Sequence, residues 1–88
     1  MMADAKQQPA DQAETEILAT QAVQQFLNAC RLTHRDQIAD RLMKLCSVAG
    51  VVMAQANGAV DASERLHGTA DFVLKEMPAA PAKLGALQ

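Results

Sequence analysis

Apolar positions in the middle of the chain recur at helical spacing. Between residues 38 and 56 the gaps between them alternate between four and three residues, at Ile38, Leu42, Leu45, Ala49, Val52 and Ala56. This is the spacing at which one helix packs along another. We therefore predict a long helix over residues 34–56. A neighbouring apolar row and the valines off both rows make its second half apolar on nearly all sides, which is typical of a helix buried on several sides.

A helix is also predicted before this one. Asp11 lies three residues before Glu14, an arrangement that resembles a capping box and marks a helix over about residues 12–31. Its apolar stripe contains Ala19, Val23, Phe26, Leu27 and Cys30. The turn should fall near residues 32–34, where we expect Thr33 to cap the next helix.

A third, shorter helix follows the long one. Asn57-Gly58 is a helix stop, because both residues tolerate the left-handed conformation. We expect Asp61, which has a glutamate three residues on, to begin a helix that ends before Pro78. Its apolar stripe contains Ala62, Leu66, Ala70, Val73 and Met77.

These patterns predict an all-α fold, a small helical bundle of two long helices plus a shorter third. Residues 1–10 are polar and are predicted to be a disordered N-terminus, residues 11–78 form the helical domain, and residues 79–88 form a flexible tail. Alanine accounts for 18 of the 88 residues, so the core is thin. Domains of this size rarely stabilise a core without a staple or a partner, which favours completion of the bundle by dimerisation.

The predicted dimer interface lies on the apolar second half of the long helix and on one aromatic residue of the third. Its five residues are Val48, Val51, Val52, Met53 and Phe72. Phe72 is included because it lies off the apolar stripe of its helix, on the side of Arg65 and Glu76.

Charge and composition disfavour several classes of partner. The net charge is −2 and aromatic residues make up 2% of the chain, so neither a general attraction to DNA nor base stacking on aromatic rings is expected. Five basic or titratable residues cluster near the first turn, but acidic residues are interspersed among them. We interpret this cluster as a solvent-exposed, ion-paired face, with a pair expected at Asp40–Lys44. A similar pair is expected at Asp71–Lys75 on the third helix. The amino-terminal sequence has no apolar core of a signal peptide, so a cytoplasmic protein is expected.

Four soft or titratable side chains are candidates for a ligand site. Cys30 and His34 lie four residues apart, a spacing compatible with zinc or copper, and Cys46 and His67 lie further along the chain. The predicted turn separates Cys30 from His34, so a metal site is disfavoured and the cysteines are read as small packing residues.

No cofactor motif, phosphate loop or catalytic constellation occurs, and the chain is predicted not to be an enzyme and to carry no cofactor. The function predicted is a non-enzymatic helical protein–protein interaction module, a homodimer that acts as a small regulator or adaptor. Two alternatives stay open, a nucleic-acid-binding regulator of helix-turn-helix type and a metal-binding helical bundle. The long helix exceeds the usual length of a recognition helix, and a metal bundle requires more inward-facing ligands.

Overall fold

The computed structural model describes residues 8–81, and this part of the chain contains three helices and no strand. Helix α1 spans Gln12–Cys30, α2 spans Asp36–Asn57 and α3 spans Ala59–Glu76. The all-α class predicted from the periodicity is confirmed. The chain divides between residues 33 and 34 into two units, of which the first contains α1 and the second contains α2 and α3.

Helix α1 begins where the sequence predicts. Asp11 is extended, and its carboxylate accepts a hydrogen bond at 2.8 Å from the backbone N–H of Glu14. This bond satisfies one of the N–H groups that have no partner within the helix. At the other end Arg31 adopts the left-handed conformation with φ 54°, and its N–H donates to the carbonyl of Asn28.

Helix α2 begins two residues later than predicted, and Thr33 is not its cap. Arg35 is the capping residue; its backbone is already helical and its side chain forms no capping hydrogen bond. Instead, the side-chain oxygen of Gln37 accepts a hydrogen bond at 3.0 Å from the N–H of His34. The Gln37 side chain thus bonds to the backbone N–H of a residue three positions earlier, as the glutamate of a capping box does.

One residue, Gly58, joins α2 to α3. Its φ is 96° and its ψ 158°, a conformation that is essentially restricted to glycine, so the predicted helix stop is confirmed. Its N–H donates to the carbonyl of Ala54 and its carbonyl accepts from the N–H of Ala62. Because Gly58 serves both helices, α3 begins at once, at Ala59, and Asp61 lies within its first turn instead of capping it. The predicted start near residue 62 was therefore wrong.

Helices α2 and α3 pack against each other near this turn. Ala62 is 4% exposed and is the one buried apolar residue in the part of the chain that the structure describes. A Cβ built on Gly50 lies 3.2 Å from the Cδ1 atom of Leu66, so the absence of a side chain at Gly50 lets Leu66 approach α2. The space beside Gly50 is thus taken by a leucine side chain of the same chain.

Away from the turn, the facing sides of α2 and α3 are less well covered. Met43 and Val73 lie on the sides that α2 and α3 turn towards each other, judged by the helical repeat of about 100° per residue. Both are nevertheless more than half exposed, at 61% and 52%. The α2–α3 unit therefore has a small packed end at Gly58 and an open end that is lined by large apolar side chains.

Candidate interaction surface

An open apolar groove runs along one side of the α2–α3 unit. Its volume is about 460 Å³, and it is lined by Ser47, Gly50, Val51, Ala54, Ala59, Ala62, Ser63, Leu66 and His67. The floor is shallow because glycine and alanine supply much of it. The Ser47 hydroxyl donates a hydrogen bond at 2.9 Å to the carbonyl of Met43, so its polarity is turned towards its own helix.

Within residues 8–81, no carboxylate, ammonium or guanidinium group lines this groove. The charged pair at the start of α3 lies on the opposite side of that helix, where the Arg65 Nε donates to the Asp61 carboxylate at 2.6 Å. This hydrogen bond lowers the pKa of Asp61, and the Asp61 carboxylate raises the pKa of Arg65 in turn. The groove side and the ion-paired side of α3 thus differ sharply in polarity.

The second half of α3 presents large apolar side chains to solvent in several directions. Phe72 is 60% exposed and Leu74 is 81% exposed, and the helical repeat places them about 160° apart. Val73 and Met77 lie between these two directions and are also more than half exposed. Large apolar side chains that are exposed in this way mark a candidate surface for contact with a partner.

The five residues of the predicted interface do not lie on one face. Val51 lines the groove, whereas Val48 and Val52 lie on the outer side of α2, away from α3. Met53 is half-buried on the side opposite the groove, and Phe72 lies on the corresponding side of α3 with Arg65. The three valines and Phe72 are exposed, so each is accessible to a partner, but one flat contact does not cover them all.

The candidate ligand residues are dispersed. Cys30 is half-buried and Cys46 is exposed, and both thiols are free, so reading Cys46 as a core residue was wrong. His67 lines the groove, while His34 lies in the turn before α2, where its backbone bonds to Gln37. Within residues 8–81, no three His, Cys, Asp or Glu side chains are placed to hold a metal ion.

Neither of the two intrahelical ion pairs expected from the sequence is formed among the described residues. Asp40 pairs with the adjacent Arg41 and not with Lys44. Asp71 and Lys75, which are four residues apart, form no ion pair among the described residues. Within residues 8–81, therefore, neither Lys44 nor Asp71 forms an ion pair.

Sequence reasoning missed the groove itself. Its signal is present in the chain, because the small residues Gly50 and Ala54 lie four apart on α2 and Ala62 follows on α3. The apolar row chosen from the sequence was the one with larger side chains, starting at Ile38, which lies on another side of α2.

Comparisons with protein-family models, with curated proteins and with solved structures give no match to this chain. None of the helices within the described residues combines the length and the apolar character that crossing a membrane requires.

Proposed function

We propose that this chain is a non-enzymatic helical interaction module that assembles as a homodimer and acts as a small regulator or adaptor. One observation carries the proposal. In the described residues a single apolar residue is buried, while twelve large apolar side chains are more than a third exposed. A helical domain with so little buried apolar surface lacks the main free energy that stabilises a fold.

The exposed apolar side chains supply what the core lacks. Full burial of one Val, Leu, Phe or Met side chain contributes roughly 1.5–3 kcal/mol. Covering five or six of those on α2 and α3 therefore contributes roughly 10 kcal/mol before the cost of association is subtracted. Folding and association are then coupled, and helix content depends on protein concentration.

The test measures mass and helicity over a wide range of concentration. Sedimentation equilibrium should give a dimer at tens of micromolar, and the circular dichroism signal of helix should fall on dilution as dimers dissociate. Val51→Glu places a charge in the groove and should shift both transitions to higher concentration. Lys75→Gln changes the net charge equally on the outer side of α3 and should shift neither.

A monodisperse monomer that keeps its helix content and its melting temperature at every concentration would contradict the proposal. Equal effects of Val51→Glu and Lys75→Gln would leave self-association intact and would show that the groove has no special part in it.

A further inference from the structure

We propose that the second copy lies on the groove side of the α2–α3 unit, with α2 of each copy antiparallel to α3 of the other. In this arrangement Lys44 forms an ion pair with Asp71 of the partner subunit, and the two-fold symmetry makes this pair twice. The inference rests on the self-association proposed above and adds the surface, the register and the residues that select the partner.

The groove side is defined by one stripe on each helix. On α2 it contains Lys44, Ser47 and Val51, which are spaced three and four residues apart. On α3 it contains Ser63, His67, Ala70 and Leu74, which are spaced four, three and four residues apart. Leu74, the most exposed of the large apolar residues on this unit, therefore lies in line with the groove.

The opposite side of the unit is a poorer surface for a second copy. There α3 presents the Asp61–Arg65 ion pair, with Glu76 further along the same side. Stacking α2 of another copy on that side would remove these charges from water without supplying new partners, which costs free energy. From residue 45 to residue 70 the groove side carries one charge at its edge, Glu64, which lies two turns before Asp71 on the same edge of α3, and its middle is uncharged, so a second copy covers it at a smaller cost.

The area required for a stable dimer also involves both helices. One helix face about 30 Å long and 10 Å wide offers roughly 300 Å², against about 800 Å² for each partner in a standard interface. The side that α2 and α3 present together is about twice as large, and the roughness of its side chains increases the buried area further. Contact through α2 alone is too small, which favours a stack of two α2–α3 units.

The register follows from the packing near the turn. Gly50 faces Leu66, and both lie eight residues from Gly58. Lys44 is six residues before Gly50, and Phe72 is six residues after Leu66, so Lys44 is level with Phe72, and Asp71 lies one residue, or about 1.5 Å of helix rise, from that level. Rotation about a two-fold axis parallel to the helices does not change the position of a residue along the helix direction. It therefore places Lys44 beside Asp71 of the partner subunit.

The charge pattern fits this register. Lys44 lies at the edge of the groove stripe of α2 and Asp71, four residues after His67, lies at the edge of the groove stripe of α3. Both are exposed, and neither forms an ion pair among the described residues. Complementary charges at the rim of an apolar contact determine orientation and partner choice more than affinity.

The experiment exchanges the two charges between copies. The variants Lys44→Glu and Asp71→Lys are made separately, and dissociation constants are measured by sedimentation equilibrium. Each homodimer then contains two like-charge contacts, and its Kd should rise roughly tenfold. When the two variants are mixed, the heterodimer regains both opposite-charge contacts, so its Kd should return to the wild-type value. Isotope labelling of one variant distinguishes the heterodimer by native mass spectrometry.

Glu76→Lys is the matched control, because it makes the same charge change on the other side of α3. Mixing it with Lys44→Glu should give no preference for the heterodimer. All three positions that are changed are exposed, and circular dichroism at high concentration verifies that each variant is helical.

The outcomes separate this inference from the proposed function. Preferential pairing of Lys44→Glu with Asp71→Lys, and not with Glu76→Lys, supports the register. A dimer that tolerates both reversals, or that pairs equally with the control, overturns the inference and leaves self-association intact. A wild-type chain that remains monomeric overturns both.

Discussion

Glycine occupies three described positions in α2, the turn and α3, and its surroundings differ at each. A Cβ at Gly50 meets Leu66 at 3.2 Å, a Cβ at Gly68 meets nothing within 4 Å, and Gly58 has a positive φ. Substitution by alanine therefore tests a different contribution to stability at each position: packing at Gly50, helix propensity at Gly68 and backbone strain at Gly58.

We expect Gly68→Ala to raise the free energy of unfolding by about 0.5–1 kcal/mol, since alanine favours the helix and has room there. The melting temperature should rise by about 4 °C. Gly50→Ala should gain less, because Leu66 must shift, and Gly58→Ala should lower stability by roughly 1–3 kcal/mol. Thermal melts at one fixed protein concentration measure all three. Equal gains at positions 50 and 68 would mean that Leu66 does not pack on Gly50.

The Asp61–Arg65 pair makes a pH-dependent prediction. Because the hydrogen bond lowers the folded-state pKa of Asp61, its stabilising effect is present above the unfolded pKa of about 3.9 and is lost as the pH falls through the lower folded value. Arg65→Gln should raise the pKa of Asp61 towards its ordinary value in a carboxyl NMR titration. Arg41→Gln, which removes the other exposed guanidinium pair, should leave Asp61 unchanged. An Asp61 pKa that does not respond to Arg65→Gln would show that the pair is not formed in solution.

At the scale of the element, two exposed apolar residues lie on opposite sides of α3, so substituting each of them tests which side forms the interface. Phe72 and Leu74 are both exposed and differ in direction by about 160°. Because they are two residues apart on one helix, a charge placed at either changes the helix propensity and the net charge by similar amounts.

We expect Leu74→Glu to weaken the dimer by roughly tenfold or more, because its side chain lies in line with the groove and would be buried there. Phe72→Glu should have a much smaller effect, since that side remains in water. Sedimentation equilibrium of the two variants gives the ratio directly. A stronger effect of Phe72→Glu would mean that the interface lies on the side of α3 that carries the Asp61–Arg65 ion pair. It would also favour the interface predicted from the sequence, which includes Phe72.

At the scale of the whole molecule, the three helices lie between residues 12 and 76 of the described residues 8–81. The predicted boundaries at residues 10 and 79 stay predictions, and residues 1–7 and 82–88 lie outside the part of the chain that the structure describes.

A chain of residues 11–78 should retain the helical signal, the cooperative melting and the dimer of the full chain. The reason is that the removed residues contain few large apolar groups and three prolines interrupt regular structure near the boundaries. Melting and sedimentation of both chains at equal concentrations provide the comparison. A fall of several degrees on removing residues 79–88 alone would show that the tail packs on the helices.

Local signals in the sequence determined the elements of this protein. The spacing of apolar residues, the Asp11 cap and the Asn57-Gly58 stop act within a few residues of each other, so they predicted three helices and most of their ends. The start of α3 was misplaced because the backbone freedom of Gly58 allows one residue to end α2 and begin α3.

Only the tertiary structure decided which apolar side of α2 faces α3. The row with the larger side chains has the stronger signal in the sequence, yet the close approach of the two helices requires small residues, and it is Gly50 and Ala54 that line the contact. Packing depends on the fit between two surfaces, and periodicity along one chain contains no information about that fit. For the same reason, the sequence predicted exposed valines and Phe72 as one interface, whereas the fold distributes them over different sides of the α2–α3 unit.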